Sequence, residues 1–340
     1  MTDSVMLKRS TSIAAFSGLF LFVWLGLTSA VASEVVADSD ELTVTGSRIP
    51  RSDFSTISPI TVISRDEILV SGLATLEDVL QDLTYTNGGD WGSTNNLAGF
   101  GLATASLRGL GPNRTLILVD GRRMVRAGAE GFVDINSIPL GMIERVEILR
   151  DGASTIYGSD AIAGVINVIT RDEITGLNVD AGYDVTSEGD GSIQRLAANI
   201  GSNLGGLNWN AGVEFTSREE ILQQDRGFSA CVLSEATGNI ACGGSPVTTP
   251  SFIVPLADIN TIGPHIIDPT SGVTRPFAPT DQFNFAIDSF LTVPQDTTSV
   301  YGNASVGLSE TLSLSVNVLF NNRESAQQGA PTGTFWGAFV

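Results

Sequence analysis

The sequence is poor in the residues that usually build catalytic or metal sites. Its 340 residues include two cysteines, Cys231 and Cys242, and one histidine, His265. A structural zinc site needs about four Cys, His or carboxylate ligands, and a Ser-His-Asp triad needs a suitably placed histidine. We therefore expect no enzyme activity, no metal site and no cofactor, and we interpret His265 as a loop residue.

Basic residues are scarce as well. Eighteen Lys and Arg stand against 37 Asp and Glu, which gives a formal net charge of −19 at pH 7. Such a charge repels nucleic acid, because proteins bind phosphate backbones mainly through Lys and Arg. The composition therefore excludes nucleic acid as a partner.

Long apolar runs are missing after residue 32. Before it, Lys8 and Arg9 precede an apolar stretch at 13–27, and residues 30–32 read A-x-A, as at a signal-peptidase site. The apolar stretch is shorter than the roughly 20 residues of a membrane-spanning helix, which is the alternative interpretation. Residues 1–32 are predicted to be a secretory signal peptide. If the mature chain meets a membrane, it must cross it with strands.

In an exported protein, the two cysteines are expected to be oxidised. Cys231 and Cys242 lie eleven residues apart in a segment rich in Gly, Pro and Thr, with no histidine between them. Disulfides persist outside the cytoplasm, so a disulfide that closes this loop is the preferred interpretation. A metal site built on the two cysteines is the alternative.

Residues 51–172 alternate short helical and strand patterns, which is typical of a compact α+β domain. One strand ends at Ser64, which is placed to cap a helix with Glu67 in the capping-box position. Thr75 is placed to cap a second helix with one apolar face. Strand patterns follow in "TLILVDG", "IERVEIL" and "AGVINVIT". The small residues of "DGASTIYGSDAIAG" are expected to permit tight turns and close packing.

The pattern changes after Asp172 to an alternation of apolar and polar residues in about five strands of about ten residues each. One strand has the apolar positions Leu207, Trp209, Ala211, Val213 and Phe215. Tight turns are predicted at 205–206 and 309–310, whereas 218–297 is a long excursion. Short turns at one end and long loops at the other are typical of an outer-membrane β-barrel. A soluble β-sandwich is the alternative.

Five segments, in this order, resemble the TonB-dependent outer-membrane receptors of Gram-negative bacteria: ELTVTGSRI, SPITVISRDEI, TLEDVLQDL, SLRGLGPNRTLILVDGRR and IPLGMIERVEILRDGASTIYGSDAIAGVINVIT. The resemblance implies an α+β plug domain inside an antiparallel transmembrane β-barrel of about 22 strands. It implies a location in the outer membrane, in contact with its lipid. It also implies active uptake of a scarce ligand such as an iron-siderophore, with cobalamin or an oligosaccharide as alternatives.

The same resemblance suggests roles for individual residues. A TonB box, which adds a strand to the TonB protein of the inner-membrane energising complex, is matched by Glu41, Leu42, Thr43, Val44 and Thr45. An ordinary edge strand is the alternative for this segment. Ligand contacts in outward-facing plug loops are expected from Trp91, Asn95, Asn96, Phe100, Arg122, Arg123 and Arg126. The alternative is that these side chains only fill the lumen.

We further predict that Arg108 and Arg150 pair with acids on the inner barrel wall and hold the plug there. Glu214, on the polar face of its strand, is a candidate partner. Such pairs contribute more in a partly dry lumen than on an open surface.

The expected organisation has four parts. They are a signal peptide at 1–32, a periplasmic segment with the TonB box at 33–50, the plug at 51–172, and the first barrel strands at 173–340, with a long extracellular loop at about 218–297. About five of some 22 strands cannot close a barrel, so we expect a fragment rather than a working transporter.

Two other functions are weighed against uptake. A signalling receptor would need an extension before the TonB box, and residues 33–40 are too few for one. A non-transporting secreted β-rich binding protein is the alternative from another class.

Overall fold

The structure is a computed structural model of the chain. It describes residues 60–86, 92–94, 96, 101–127, 131–150, 153–236, 239–245, 252–253, 264–309 and 312–329. These residues all belong to one compact unit, 43–340. The predicted signal peptide and TonB box lie outside the described residues.

The described residues form seventeen strands and three α-helices. The strands are β1 (Ile60–Ser64), β2 (Thr115–Val119), β3 (Arg122–Arg123), β4 (Ile143–Leu149), β5 (Gly164–Thr170), β6 (Gly176–Asp184), β7 (Ile193–Leu204), β8 (Leu207–Arg218), β9 (Ile221–Leu222), β10 (Val232–Ala236), β11 (Asn239–Gly243), β12 (Phe252–Ile253), β13 (His265–Ile267), β14 (Thr274–Pro276), β15 (Phe290–Thr292), β16 (Gln295–Ser309) and β17 (Leu312–Ser325). The helices are α1 (Arg65–Ser71), α2 (Leu76–Gln81) and α3 (Ser154–Tyr157).

The first two helices begin where the sequence predicts. Ser64 caps α1, and its backbone N–H donates to the Glu67 carboxylate at 2.7 Å while its hydroxyl accepts from the Glu67 N–H. Thr75 and Asp78 make the same reciprocal pair at α2. Each capping box satisfies N–H groups that a short helix otherwise leaves without partners. Both predicted helix starts are therefore confirmed.

A five-stranded mixed sheet, which we call the plug sheet, has the order β1-β4-β5-β2-β3. Strands β2 and β5 are parallel, and the other neighbours are antiparallel. Apolar side chains alternate between its two faces: Ile117 and Ile166 pack with α2, whereas Leu116 and Val165 pack on the opposite side. Both faces of this sheet are therefore buried.

The small-residue stretch before β5 is structural, as predicted. Gly164 has φ 137°, and a Cβ placed there would lie 2.7 Å from Leu107 Cδ1 and closer still to the Leu149 carbonyl oxygen. Ala161 and Ala163 are buried, and Gly158 turns the chain with φ 85°. Only a residue without a side chain lets β5 begin this close to the end of β4.

The second five-stranded sheet, which we call the wall sheet, has the order β17-β16-β8-β7-β6 and is antiparallel throughout. Its strands have 9 to 15 residues, so the five predicted strands are confirmed. Its outward face is apolar and exposed, with Leu177, Val179, Ile200, Phe215, Val300, Leu314, Val318 and Phe320. Its inward face is polar and buried, with Asn199, Asn210, Glu214, Arg218, Gln295 and Ser299. A soluble sheet buries the opposite face, whereas lipid-facing strands show this pattern.

The excursion between β8 and β16 contains β9 to β15 and short connecting turns. Cys231 and Cys242 form a disulfide there, with their Cα atoms 5.5 Å apart. His265 lies in β13, so its interpretation as a loop residue was wrong. No helix in the described part of the chain is both long and apolar enough to cross a membrane.

Candidate functional site

One end of the plug sheet lies against the polar face of the wall sheet. Arg65, which follows β1, donates through Nη2 to Asp180 Oδ2 on β6 at 3.2 Å. The carbonyl of Arg171, which follows β5, accepts from Asn210 Nδ2 at 2.6 Å and from Asn303 Nδ2 at 2.9 Å. Asn210 and Asn303 face each other on β8 and β16. The ends of β1 and β5 are therefore fixed to three wall strands.

Glu214 on β8 accepts two hydrogen bonds from the plug backbone. Its Oε1 accepts from the Leu140 N–H at 3.2 Å, and its Oε2 accepts from the Gly141 N–H at 2.7 Å. These amides belong to a 3-10 turn, Leu140–Met142, just before β4. Arg195 Nη1 lies 3.4 Å from Oε2. A buried carboxylate is tolerated with this set of partners, because it needs both hydrogen bonds and a countercharge.

Gly141 fits this position because it has no side chain. A Cβ there would overlap the Tyr301 hydroxyl and lie 3.0 Å from Glu214 Oε2 and 3.2 Å from Ala197 Cβ. Tyr301 is itself fixed, since its hydroxyl donates to Asn199 Oδ1 at 2.6 Å. The plug backbone at Gly141 therefore touches β7, β8 and β16 together.

A second buried contact involves Ser93. Glu77 of α2 accepts from the Ser93 N–H at 2.8 Å and from the Ser93 hydroxyl. On the other side, Arg218 of β8 donates to Ser93 Oγ at 2.9 Å and to the Ser93 carbonyl at 3.0 Å. Burial raises the pKa of the Glu77 carboxyl above its ordinary value, with hydrogen bonds from Ser93 and Asn136 acting in the opposite direction.

A third contact joins Asp134 of the plug to Arg323 of β17. Arg323 Nη1 lies 3.3 Å from Asp134 Oδ2 and also donates to the Gly101 carbonyl. Asp134 Oδ1 accepts from the Ala103 N–H at 3.2 Å. Burial raises the pKa of Asp134, and the nearby Arg323 charge opposes that rise.

The seam between plug and wall also has room for water. A cavity of about 30 Å³ lies between Thr75 and Asn136 on the plug side and Glu214, Thr216 and Ser299 on the wall side. This volume holds water where several polar groups line it. Plug and wall are joined mainly by hydrogen bonds and ion pairs along this seam, and Tyr301 and Leu319 of the wall also pack against the apolar core of the plug.

The sequence of this domain matches one family. Residues 52–165 match the family described as TonB-dependent Receptor Plug Domain. These residues are the plug domain of a TonB-dependent receptor. Such receptors lie in the outer membrane of Gram-negative bacteria, which places the chain there.

Solved structures share the fold of plug and wall. The chain is similar to the ferric enterobactin receptor PfeA from Pseudomonas aeruginosa in complex with enterobactin, with TM-score 0.52 and 17% identity over 79% of this chain and 34% of that chain. It is also similar to the siderophore receptor PirA from Acinetobacter baumannii, with TM-score 0.52 and 16% identity over 80% of this chain and 32% of that chain. The chain spans about a third of the length of these structures. At such identities, the likeness shows the fold: a plug followed by antiparallel barrel strands.

Of the plug residues predicted to contact ligand, the structure describes four, which form two groups. Asn96 lies at the wall, where its amide bonds the backbone of Gln328. Arg123 and Arg126 are exposed and both pair with Asp160, in the Arg126 case at 2.9 Å. Arg122 is exposed beside them. The other predicted contacts lie outside the described residues: Trp91, Asn95 and Phe100.

Arg108 and Arg150, predicted to pair with acids on the inner barrel wall such as Glu214, make other contacts in the described structure. Arg150 follows the last residue of β4 and lies over the Tyr85 ring, 4.8 Å from its centroid. Arg108 donates to the Ile162 carbonyl at 3.0 Å, close to the start of β5. Both therefore lie at the end of the plug sheet away from Glu214, since seven residues of β4 span about 20 Å.

Sequence reasoning missed Arg65, Glu77, Ser93, Gly141 and Arg218. Arg218 was assigned to the start of the long excursion, whereas it ends β8 on the polar face of the wall, and extending the period of two in that strand would have found it. Glu77 also carried a signal, as a carboxylate beside the apolar face of α2. Ser93 and Gly141 act mainly through backbone atoms, which residue type does not reveal.

Proposed function

We propose that the chain serves TonB-dependent uptake of a scarce ligand across the outer membrane, with an iron-siderophore as the favoured cargo. The observation that carries this proposal is the polar seam between plug and wall. Where water enters the seam and replaces its hydrogen bonds, each exchanged bond costs about 1 kcal/mol net, whereas opening the apolar plug core would expose many side chains at about 1.5–3 kcal/mol each. The plug is thus built to shift against the wall while keeping its own core.

Exposed arginines on the plug favour an anionic ligand. Arg123 and Arg126 bring two guanidinium groups to one carboxylate, that of Asp160, and Arg122 next to them in the chain is exposed as well. Two receptors of similar fold are named for ferric enterobactin and for siderophores. Together with Trp91, Asn95, Asn96 and Phe100, these arginines form the proposed ligand site. Cobalamin or an oligosaccharide is the alternative cargo.

Each segment of the chain has its own role in the proposed uptake. Residues 1–32 direct export, and 41–45 bind TonB as an added strand within the periplasmic segment 33–50. The plug extends over 51–172. Residues 173–340 contribute barrel strands, with an extracellular loop at about 218–297.

The test is uptake by cells that produce a receptor with a complete barrel containing these residues. Iron-limited cells are given radiolabelled ferric enterobactin, cobalamin or a maltooligosaccharide, each with and without a proton uncoupler. We expect ferric enterobactin to accumulate and the uncoupler to stop it. If only cobalamin or only the oligosaccharide is taken up, that ligand and not an iron-siderophore is the cargo. Uptake that persists with the uncoupler would refute energised transport.

A further inference from the structure

Ser93 lies between a plug carboxylate and a wall guanidinium, and all three residues are buried. The exposed fractions are 2% for Glu77, 0% for Ser93 and 8% for Arg218. The Ser93 hydroxyl donates to Glu77 Oε2 and accepts from Arg218 Nη1 at 2.9 Å. One hydroxyl therefore links the two charges across the seam.

Each charged group is also fixed within its own part of the molecule. Glu77 accepts from Asn136 Nδ2 and from Gln81 Nε2, both at 2.9 Å. Arg218 donates to the Val293 carbonyl and to Gln295 Oε1, both at 3.1 Å. Neither side chain is free to follow Ser93 if that residue moves.

The residues next to Ser93 are held as well. Gly92 passes so close to α2 that a Cβ there would lie 2.8 Å from Glu77 Oε1. The Thr94 carbonyl accepts from the Val293 N–H at 3.4 Å. Moving Ser93 away from the seam would leave buried charges short of partners, which costs more than losing an exposed hydrogen bond. The position of this segment is therefore coupled to the attachment of the plug at β8.

We propose that Glu77 and Arg218 are positioning residues that fix the loop around Ser93, which leads to Asn96. Through these two residues, the position of the loop and the attachment of the plug to β8 depend on each other. The ligand part of this inference rests on the proposed function. Coupling of this kind is reciprocal. A ligand that displaces the loop weakens the attachment at β8, and loss of the attachment changes ligand affinity by the same factor.

The test is amide hydrogen exchange in the receptor containing these residues, held in detergent micelles. Arg218→Met and Glu77→Gln are compared with wild type. We expect exchange at 92–96 to rise at least tenfold, because losing one charge-assisted hydrogen bond accounts for about tenfold and Arg218 makes two to Ser93. Exchange in β4 and β5 should stay within twofold, because the plug core is untouched.

The matched control is Arg195→Met, which removes another wall arginine, with 11% of its side chain exposed, that pairs with Glu214 rather than with Ser93. It should raise exchange at 140–141 and leave 92–96 unchanged. Wild-type exchange at 92–96 in Arg218→Met would overturn the proposal. An equal rise in β4 and β5 would also overturn it, because the two residues would then only stabilise the fold.

A second arm adds ferric enterobactin as the probe. We expect the dissociation constant of ferric enterobactin to differ between wild type and Arg218→Met. It should be the same in wild type and Arg195→Met. Equal affinity in wild type and Arg218→Met would refute the coupling. If the probe binds none of the three proteins, the cargo in the proposed function fails, and the exchange data decide the positioning role alone.

Discussion

The Gly141 N–H donates to Glu214 Oε2 at 2.7 Å, and this bond joins the plug to the middle of strand β8. The neighbouring Leu140 N–H donates to the other carboxylate oxygen. A wall side chain therefore binds plug backbone, so the contact depends on the path of the chain at Gly141. Substituting Gly141 tests that dependence directly.

Gly141→Ala should loosen the plug from the wall. The added Cβ would overlap the Tyr301 hydroxyl and crowd Glu214, and overpacking of this kind costs about 1–3 kcal/mol. We expect faster amide exchange at 140–142 and easier proteolysis of the plug in the assembled receptor. Tyr301→Leu should partly restore protection by removing the hydroxyl.

The control for this substitution is Gly307→Ala on β16, where an added Cβ meets nothing within 4 Å. It should leave exchange at 140–142 unchanged. Equal protection in Gly141→Ala and wild type would show that the close approach at Gly141 is not needed.

The pH dependence of stability should reveal the buried Glu77. Burial raises the pKa of this carboxyl above its ordinary 4.5, so its protonated form is favoured in the folded state. Its contribution to stability is present below the unfolded pKa and is lost as pH rises through the folded value. The free energy of opening of the segment 92–96, measured by hydrogen exchange, should therefore fall with rising pH more in wild type than in Glu77→Gln.

Glu67 provides a control of opposite sign. Hydrogen bonds from Ser64 lower its pKa, so its contribution is present above the unfolded pKa and is lost as pH falls. As pH falls, wild type should therefore lose stability relative to Glu67→Gln. Parallel pH profiles for wild type and Glu77→Gln would contradict the assignment for Glu77.

The arginines on the plug should discriminate between ligands by charge. Replacing Arg122, Arg123 and Arg126 with glutamine removes three exposed positive charges, two of which pair with Asp160. We expect the affinity for anionic ferric enterobactin to fall at least tenfold, because each lost charge-assisted contact contributes about 1 kcal/mol or more. Affinity for a neutral oligosaccharide should not change.

Asp160→Asn is the complementary variant, since it removes the carboxylate that Arg123 and Arg126 share. Ferric enterobactin should then bind more tightly at low salt, with a steeper salt dependence. Unchanged binding in both variants would remove these arginines from the proposed ligand site.

Local features of the fold could be predicted from the sequence. The capping boxes at Ser64 and Thr75 depend on residues three positions apart, and the wall strands depend on a period of two. The inward polar face of those strands also follows from alternation, and with it the presence of Glu214 in the seam. These predictions succeeded because each depends on neighbours along the chain.

Contacts across the seam could not be predicted in the same way. Gly141 and Glu214 are 73 residues apart, and Ser93 and Arg218 are 125 apart. Pairing them requires knowing which end of the plug sheet meets the wall. For the same reason, the contacts of Arg108 and Arg150 differ from the predicted pairs with wall acids, because these arginines lie at the other end of the plug sheet.

The most direct test of the account is proline substitution in the proposed TonB box. Val44→Pro removes a backbone N–H from the strand that would be added to TonB, whereas Ala37→Pro lies outside the box in the same segment. We measure binding and energised uptake of ferric enterobactin by cells producing the receptor with a complete barrel. The account predicts normal binding in both variants, lost uptake in Val44→Pro and normal uptake in Ala37→Pro. Wild-type uptake in Val44→Pro would contradict TonB-dependent transport through these residues.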